Sequence, residues 1–175
     1  MAGLIGIHGP MRTEPRTPYL AVVRAVVGQQ LSVKAASTIF QRLSGGEPVT
    51  PSRILNMSVD DLRAVGLSHP KARYLLAISE SAAEGGLDGI GALCNEDAID
   101  RLSSLPGVGR WTAEMVLIFA LGRQDVWPLD DAGLLRAAKR LYGVGNERSF
   151  AALGGRFHPW RSHAAWYLWR SLDGV

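Results

Sequence analysis

Apolar residues recur along most of the chain at spacings of three and four, the period of an amphipathic helix. Glycine and proline divide these segments, rather than the turn dipeptides that connect β-hairpins. The pattern predicts an all-α fold that follows a loose start before Pro18. The predicted helices cover residues 18–27, 32–43, 51–57, 59–65, 70–83, 96–102, about 109–121, 130–141 and 159–171.

A break interrupts the strong apolar pattern that begins at Pro18. It falls at Gly28, Gln29 and Gln30, and the pattern resumes after Ser32, a good helix N-cap. Two interpretations stay open: a kink in one helix caused by Gly28, or a loop between two helices that presents its glutamines to a partner.

Composition limits the class of protein. A chain of 175 residues with 47% hydrophobic and 20% charged residues is that of a folded globular domain, or of two small lobes sharing one core. The excess of 19 Lys and Arg over 16 Asp and Glu gives a net charge of +3, which permits a polyanionic partner without requiring one. Only three of the basic residues are lysines: Lys34, Lys71 and Lys139.

The single cysteine, Cys94, excludes disulfides within the chain, zinc sites built from several thiolates, and iron–sulfur clusters. The four histidines show no spacing typical of metal ligands, and we expect no catalytic cofactor. No apolar run is long enough for a signal-peptide core or a membrane span, so we expect no membrane association and a cytoplasmic, nucleoid-associated protein.

The segment from Leu105 to Ala113 contains Pro106, Gly107, Val108 and Gly109 just before a predicted helix. Two glycines one residue apart at a helix start let a partner approach the backbone closely, and the helix dipole favours an anion there. The segment is therefore either a phosphate-binding turn or a tight turn between helices that needs glycine only for its backbone angles. A similar helix, glycine turn and helix runs from Leu62 to Leu76, either as a second DNA contact or as an ordinary corner.

Two adjacent carboxylates, Asp130 and Asp131, stand where another helix is predicted to begin. One of them can cap the helix, and the second can point away from it. A fixed carboxylate that faces a cleft stabilises developing positive charge or orients a water molecule. The alternative is that both side chains only cap the helix and contact solvent.

These segments together resemble the 3-methyladenine DNA glycosylase II family of the helix-hairpin-helix base-excision glycosylases. The resemblance runs from about Pro18 to Arg170 and includes residues 24–36 and 159–170 beside the hairpin and the aspartates. It implies a two-lobed helical fold in one domain, 1–175, with the active-site cleft between the lobes. Residues 31–125, including the hairpin at 102–121, would form the central lobe, and residues 1–30 and 126–175 the second.

The resemblance also implies roles for individual residues. Asp131 would be the catalytic carboxylate, and Asp130 would cap or support it. A wedge that enters the duplex would be formed by Gln29, Gln30 and Leu31, of which Gln30 fits best. A phosphate-binding hairpin would be formed by Gly107, Val108, Gly109, Arg110 and Thr112, assisted by Na⁺ or K⁺ on the backbone of Gly107 and Gly109. A base pocket would be formed by Trp111, Met115, Ala132 and Trp169.

Position 111 bears on the reaction. Relatives that also cut the strand carry a lysine nucleophile there, whereas this chain has Trp111, so the resemblance implies base release without lyase activity. A cationic alkylated purine suits stacking on Trp111 and Trp169. Met115 and Ala132 replace tyrosines of enterobacterial members and imply a roomier pocket. The resemblance also leads us to expect a compact form without the N-terminal β-rich domain of those longer members.

Arg161 has two candidate partners, the Asp130 carboxylate or a DNA phosphate, and the first is favoured. The leading hypothesis is a monomeric, monofunctional alkylpurine DNA glycosylase that acts on double-stranded DNA. The alternatives are a helix-hairpin-helix module that binds damaged or abasic DNA without catalysis, and a glycosylase for oxidised or mismatched bases.

Overall fold

The computed structural model describes residues 1–13 and 16–172, and it confirms the all-α prediction, with no strand in those ranges. Residues 14, 15 and 173–175 of the predicted lobes lie outside the described residues. The helices are α1 (Ala2–His8), α2 (Pro18–Gly28), α3 (Val33–Ser44), α4 (Pro51–Leu55), α5 (Val59–Ala64), α6 (His69–Ala83), α7 (Asn95–Ser103), α8 (Arg110–Phe119), α9 (Ala132–Tyr142), α10 (Glu147–Gly155) and α11 (Arg161–Arg170), with one 3₁₀ turn at Ile90–Ala92.

Side-chain caps explain most of the helix starts. Thr17, Ser32 and Ser68 each accept a hydrogen bond from the amide three residues ahead, as does Asn146 before α10. Cys94 does the same for α7 through its sulfur.

Two helices, α1 and α10, were not predicted. α10 carries Gly154 and Gly155, which as a sequence pattern indicate a helix end. In the structure Gly154 is needed inside the helix, because a Cβ there would lie 2.6 Å from the Trp127 ring. α1 exposes much of Ile5 and Ile7, so its apolar pattern does not match a buried face.

The described residues form two compact units, one of 16–116 and one of 1–13 with 117–172. These bounds differ from the predicted lobes of 31–125 and 1–30 with 126–175. One difference concerns α2. This helix belongs to the unit of 16–116, because its valines are buried and it packs against α3 and α6. Residues 117–125 belong to the other unit.

In the unit of 16–116, α6 is the central helix and packs against α2, α4 and α5. Its buried residues Ala72, Leu75 and Ile78 face that core, and the Tyr19 hydroxyl of α2 lies 2.8 Å from the Ser79 hydroxyl. Burial raises the pKa of Tyr19. The Tyr19 and Ser79 pair is thus a satisfied polar contact within the core.

The core of the other unit is built on α9, α10 and α11. Trp127 and Phe150 pack with ring centroids 5.2 Å apart, beside the buried Leu134 and Leu168. α1 packs against α11, where the Tyr167 hydroxyl donates to the Gly9 carbonyl at 2.8 Å. No helix in the described part of the chain is long and apolar enough to cross a membrane.

Candidate active site

The turn between α7 and α8 is fixed by a hydrogen bond within the turn and by packing against α6. The Val108 amide donates to the Leu105 carbonyl at 3.1 Å, and Gly107 has φ +77°. A Cβ at Gly107 would lie 2.3 Å from Cδ2 of Tyr74, a residue of α6. Backbone angle and packing therefore both require glycine at 107.

Two amides of this turn remain available to an anion. Among the residues described, neither Gly107 nor Gly109 donates a backbone hydrogen bond, and a Cβ at Gly109 would meet nothing within 4 Å. This open approach at the start of a ten-residue helix is what a phosphate-binding turn needs. Val108 is a correction to the predicted donor set, because its amide is used within the turn.

Arg110 and Thr112 are also engaged within the protein. Both Glu96 oxygens accept from Arg110 Nη2, at 2.8 and 2.9 Å, and Glu114 lies 3.3 Å from Nε. The Arg110 hydrogen bond lowers the pKa of Glu96. Thr112 is buried. The structure thus places these two predicted phosphate ligands in contacts of their own, with Arg110 half-exposed.

The two carbonyls assigned to a monovalent cation each accept one hydrogen bond within the protein. The Gly107 carbonyl accepts from Gln29 Nε2 at 2.8 Å, and the Gly109 carbonyl accepts from the Ala113 amide at 3.0 Å. Each oxygen keeps a second lone pair, so Na⁺ or K⁺ at this pair of carbonyls stays a prediction.

The break after α2 is a tight turn, not a kink within one helix. α2 ends at Gly28 and α3 begins at Val33, and Gln30 has φ +57°, an uncommon angle for a residue with a side chain. Gln29 is turned inward, since its side chain donates to the Gly107 carbonyl and, at 3.3 Å, to Thr112 Oγ1. Gln30 and Leu31 are exposed. Of the three predicted wedge residues, these two are on the surface.

Asp131 is the N-cap of α9, which corrects the expectation that Asp130 caps and Asp131 follows it in the helix. Oδ1 of Asp131 accepts from the Leu134 amide at 2.5 Å and from Trp169 Nε1 at 3.0 Å. The carboxylate is 8% exposed, whereas Asp130 is exposed. The cap and the indole together fix the orientation of a buried carboxylate.

Trp169 has a role in the structure that its aromatic character did not predict. Its indole N–H is bonded to Asp131, and its ring lies 5.9 Å from that of Phe119. A Cβ at Gly133 would lie 3.1 Å from Asp131 Oδ1 and 3.8 Å from Cδ1 of Trp169. The small residue at 133 leaves room for this carboxylate and indole pair.

Arg161 does not pair with Asp130. Its Nε and Nη2 atoms donate to the two oxygens of Asp125, at 2.6 and 2.7 Å. His158 Nδ1 lies 2.8 Å from the same carboxylate. Mainly through the Arg161 hydrogen bond, the pKa of Asp125 falls to about 2. The favoured Asp130 pairing is therefore wrong, and Arg161 supports the segment that leads to Asp131.

Ser162 ties the same segment to the start of α11. The Val126 amide donates to Ser162 Oγ at 2.9 Å, and the Ser162 amide donates to the Gln124 carbonyl at 2.9 Å. With Trp169 two turns further along α11, one helix holds the segment at both ends. Residues 124–131 thus reach the cap of α9 along a fixed path.

The remaining predicted pocket residues are placed as follows. Trp111 and Met115 lie one turn apart on α8, with Trp111 43% exposed and Met115 half-buried. Ala132 is exposed and is the first residue of α9, next to Asp131. The described residues contain no cluster of three His, Cys, Asp or Glu side chains able to hold a metal ion.

Sequence reasoning missed four residues that organise the two units: Lys71, Glu96, Asp125 and Gly133. Asp125 and Glu96 pair with arginines 36 and 14 residues away, which no local pattern indicates. Gly133 stands two residues after Asp131, and a glycine in the first turn of a helix was the one signal available.

Comparison with known proteins shows the family of this chain. Residues 23–152 match the family model described as "HhH-GPD superfamily base excision DNA repair protein". DNA-3-methyladenine glycosylase 1 of Schizosaccharomyces pombe is 37% identical over 179 residues, which cover 96% of this chain and 78% of the relative.

Two solved structures match nearly the whole chain. The 3-methyladenine DNA glycosylase of the same yeast, in complex with abasic DNA, matches with a TM-score of 0.86 and 34% identity, over 99% of this chain and 91% of that one. A DNA-3-methyladenine glycosidase from Bacillus halodurans matches with a TM-score of 0.83 and 34% identity, over 97% of this chain and 82% of that one. The chain therefore belongs to the helix-hairpin-helix HhH-GPD superfamily of base excision DNA repair proteins.

Proposed function

We propose that this chain is a monofunctional DNA glycosylase that flips alkylated purines, of the 3-methyladenine and 7-methylguanine type, out of duplex DNA and releases them. The observation that carries the proposal is the Asp131 carboxylate, buried and oriented by the Leu134 amide and the Trp169 indole. The names of the relatives, which are glycosylases for 3-methyladenine, support the choice of substrate.

The proposed reaction requires little acid catalysis. When the bond between C1′ and the purine nitrogen breaks, its electron pair stays on the base, and a cationic alkylated purine becomes neutral. The sugar then carries positive charge, which the fixed Asp131 carboxylate stabilises. Water adds its oxygen to C1′ and releases a proton. Trp111 at the lysine position supports a reaction that stops at the abasic site.

Accessible groups among the predicted DNA contacts support the following assignments. The Gly107 and Gly109 amides are proposed to bind a phosphate, and Gln30 is proposed to fill the gap left by the flipped nucleotide. Trp111, Met115, Ala132 and Trp169 stay predicted contacts of the base. We also propose that the protein acts as a monomer on chromosomal DNA in the cytoplasm. Size-exclusion chromatography of the DNA complex would check that one protein molecule binds.

The test is base release from methylated duplex DNA under single-turnover conditions, with wild type and Asp131→Asn compared. Asparagine keeps the acceptor oxygen that caps α9, so the variant is expected to fold and to bind DNA. We expect wild type to release 3-methyladenine or 7-methylguanine, the variant to lose release by at least about a hundredfold, and strand breaks to appear only after alkali.

A second candidate is a module that binds damaged or abasic DNA without catalysis. The observation that favours it is the N-cap itself, because capping α9 already gives Asp131 a structural role. DNA binding by wild type without release of any methylated base would support this candidate and contradict the first. Strand breaks before alkali would instead contradict the monofunctional reaction.

A further inference from the structure

We propose that Lys71 positions the turn of residues 28–31 so that Gln30 is held in the conformation that enters the duplex. The inference rests on the proposed function, since it concerns how the enzyme would flip a nucleotide. Lys71 is thereby a positioning residue, acting through Gln30, and not a DNA ligand.

The Lys71 ammonium joins α6 to the turn that ends α2. Its Nζ atom donates to the Val27 carbonyl at 3.0 Å and to the Gln29 carbonyl at 2.7 Å. Carbonyls in the last turn of a helix need donors from outside the helix, and a positive charge there is favoured by the helix dipole. A lysine with three N–H donors on one nitrogen can serve both oxygens at once.

Gln29 holds the same turn from the other side. While its carbonyl accepts from Lys71, its side chain donates to the Gly107 carbonyl and to Thr112 Oγ1. Gln29 is therefore committed at both its backbone and its side chain. Entry of Gln29 into DNA would break these contacts, which leaves its exposed neighbours Gln30 and Leu31. Of these two, Gln30 directly follows the held residue and has the positive φ.

The backbone of Gln30 shows that the turn is held and not relaxed. Its φ of +57° is unfavourable for a residue with a Cβ and persists where surrounding contacts enforce it. The Lys71 ammonium and the side-chain contacts of Gln29 hold the residue directly before Gln30. Partial burial lowers the pKa of Lys71, as expected for an ammonium whose hydration is partly replaced by carbonyl oxygens.

A preformed turn would favour flipping for an entropic reason. Flipping requires unstacking of a base pair, and a wedge residue whose backbone is already ordered fills the gap with a smaller loss of freedom. Because Gln29 also contacts Gly107, the same unit keeps the wedge in register with the phosphate-binding turn. Loss of Lys71 should therefore weaken insertion while leaving phosphate binding in place.

The test is a double-mutant cycle of Lys71→Met and Gln30→Ala. The readouts are the single-turnover rate at saturating enzyme and the preference for a duplex with a tetrahydrofuran abasic analogue over an intact duplex. Lys71→Met removes two charge-assisted hydrogen bonds and is expected to lower both readouts roughly tenfold. In the Gln30→Ala background the same change should have an effect of less than about twofold.

Lys139→Met is the matched control, since it removes the same charge from an exposed position on α9. It is expected to leave both readouts within about twofold of wild type. Equal effects of Lys71→Met in the two backgrounds would overturn the proposal, because Lys71 would then act independently of Gln30. The absence of any effect would overturn it as well.

A second measurement avoids replacement of Lys71, in case Lys71→Met does not fold. In a Lys34→Arg, Lys139→Arg chain, reductive dimethylation of the folded protein modifies Lys71 and the N-terminal amine alone, because the sequence has three lysines. Dimethyl-lysine keeps its charge but has one N–H, enough for one of the two carbonyls. We expect the preference for the abasic duplex over the intact duplex to fall several-fold. An unchanged preference with Lys71 fully modified would contradict the proposal. The same chain with Lys71→Arg, treated in the same way, controls for modification of the N-terminal amine.

The two readouts separate this inference from the function on which it rests. If wild type releases no base, the proposed function fails, yet the preference for abasic duplex still reports how Gln30 is held. If wild type releases base and the cycle shows no coupling, the inference fails alone.

Discussion

At the scale of single residues, the carboxylate of Asp131 combines a structural contact with the proposed chemical role. A helix cap needs an acceptor in a fixed place, and so does stabilisation of charge on a sugar. Trp169 adds a second donor to the same oxygen. The orientation of the carboxylate therefore depends on the residues around it. Gly133 is one of them, because a side chain there would contact Asp131 Oδ1.

Gly133→Ala is expected to lower activity without lowering stability. Alanine is favoured over glycine in a helix, but its Cβ would lie 3.1 Å from Asp131 Oδ1 and would displace the carboxylate by a few tenths of an ångström. We expect a single-turnover rate about tenfold lower, with Tm equal to or above that of wild type. Gly155→Ala, in a helix with open space around it, is the control, and a full rate in Gly133→Ala would contradict the prediction.

Sequence patterns located Asp131 and the glycine turn but not the partners of the charged residues. The spacing from Gly109 to Asp131 is local information combined with a resemblance, and the structure bears out the position of both at helix starts. The Arg161 partner was wrong because Asp125 and Asp130 are five residues apart on one loop, and only the path of that loop decides which of them meets α11.

At the scale of elements, the two glycines in the turn between α7 and α8 have different roles. Gly107 is required by its backbone angle and by its packing against Tyr74. Gly109 has no positive φ and its missing Cβ faces open space, so a larger side chain fits the fold. We expect Gly109→Leu to keep the Tm of wild type and to weaken binding roughly tenfold for any duplex sequence, because it blocks approach of a phosphate.

Fluorescence anisotropy with two unrelated duplexes measures this effect. Gly145→Leu is the matched control, since position 145 is equally open and lies in another loop. Equal affinities of the Gly109→Leu and Gly145→Leu proteins would mean that the turn does not contact DNA.

The loop before α9 depends on its ion pair with α11. The pKa of Asp125 is held at about 2 in the folded protein, below its ordinary 3.8, so the pair stabilises the fold above about pH 4 and that contribution disappears as the pH falls through about 2. Asp125→Asn is expected to lower the free energy of unfolding near neutral pH by about 1 kcal/mol, after allowance for solvent screening.

Urea unfolding at a series of pH values checks this prediction. The difference from wild type should shrink as the pH falls from about 4 toward about 2. Asp100→Asn, at an exposed position on α7, controls for the loss of a carboxylate as such. A difference that stays constant with pH would show that Asp125 acts by packing alone.

The helices themselves were largely predictable, and the exceptions share a cause. Periodicity and caps located nine of the helices within a few residues, because their buried faces follow the helical period. α1 and α10 depend on tertiary packing, against α11 for α1 and against Trp127 for the glycine at the end of α10. Such helices carry too little local pattern to be recognised.

At the scale of the whole molecule, a net charge of +3 is small for a protein proposed to bind DNA. One hairpin arginine is already paired, since Arg110 contacts Glu96 and Glu114. Glu96→Gln is expected to release Arg110 toward a phosphate. The slope of log affinity against log salt should steepen by about 0.9, which makes the gain in affinity about threefold larger at 50 than at 200 mM salt.

Anisotropy titrations at several salt concentrations measure that slope. Glu84→Gln makes the same change in net charge at an exposed position at the end of α6. If the two variants change the slope equally, net charge explains the effect and Arg110 gains no phosphate contact.

The packing of Tyr74 against Gly107 limits which substitutions the turn of this chain can tolerate. Replacement of Tyr74 by a smaller residue would relieve the 2.3 Å clash of a new side chain at 107, but the φ of +77° would still disfavour it. A change that relaxed the backbone would in turn meet the ring. A replacement of Gly107 therefore meets two separate obstacles, the Tyr74 ring and the backbone angle, and a single second substitution removes only one of them.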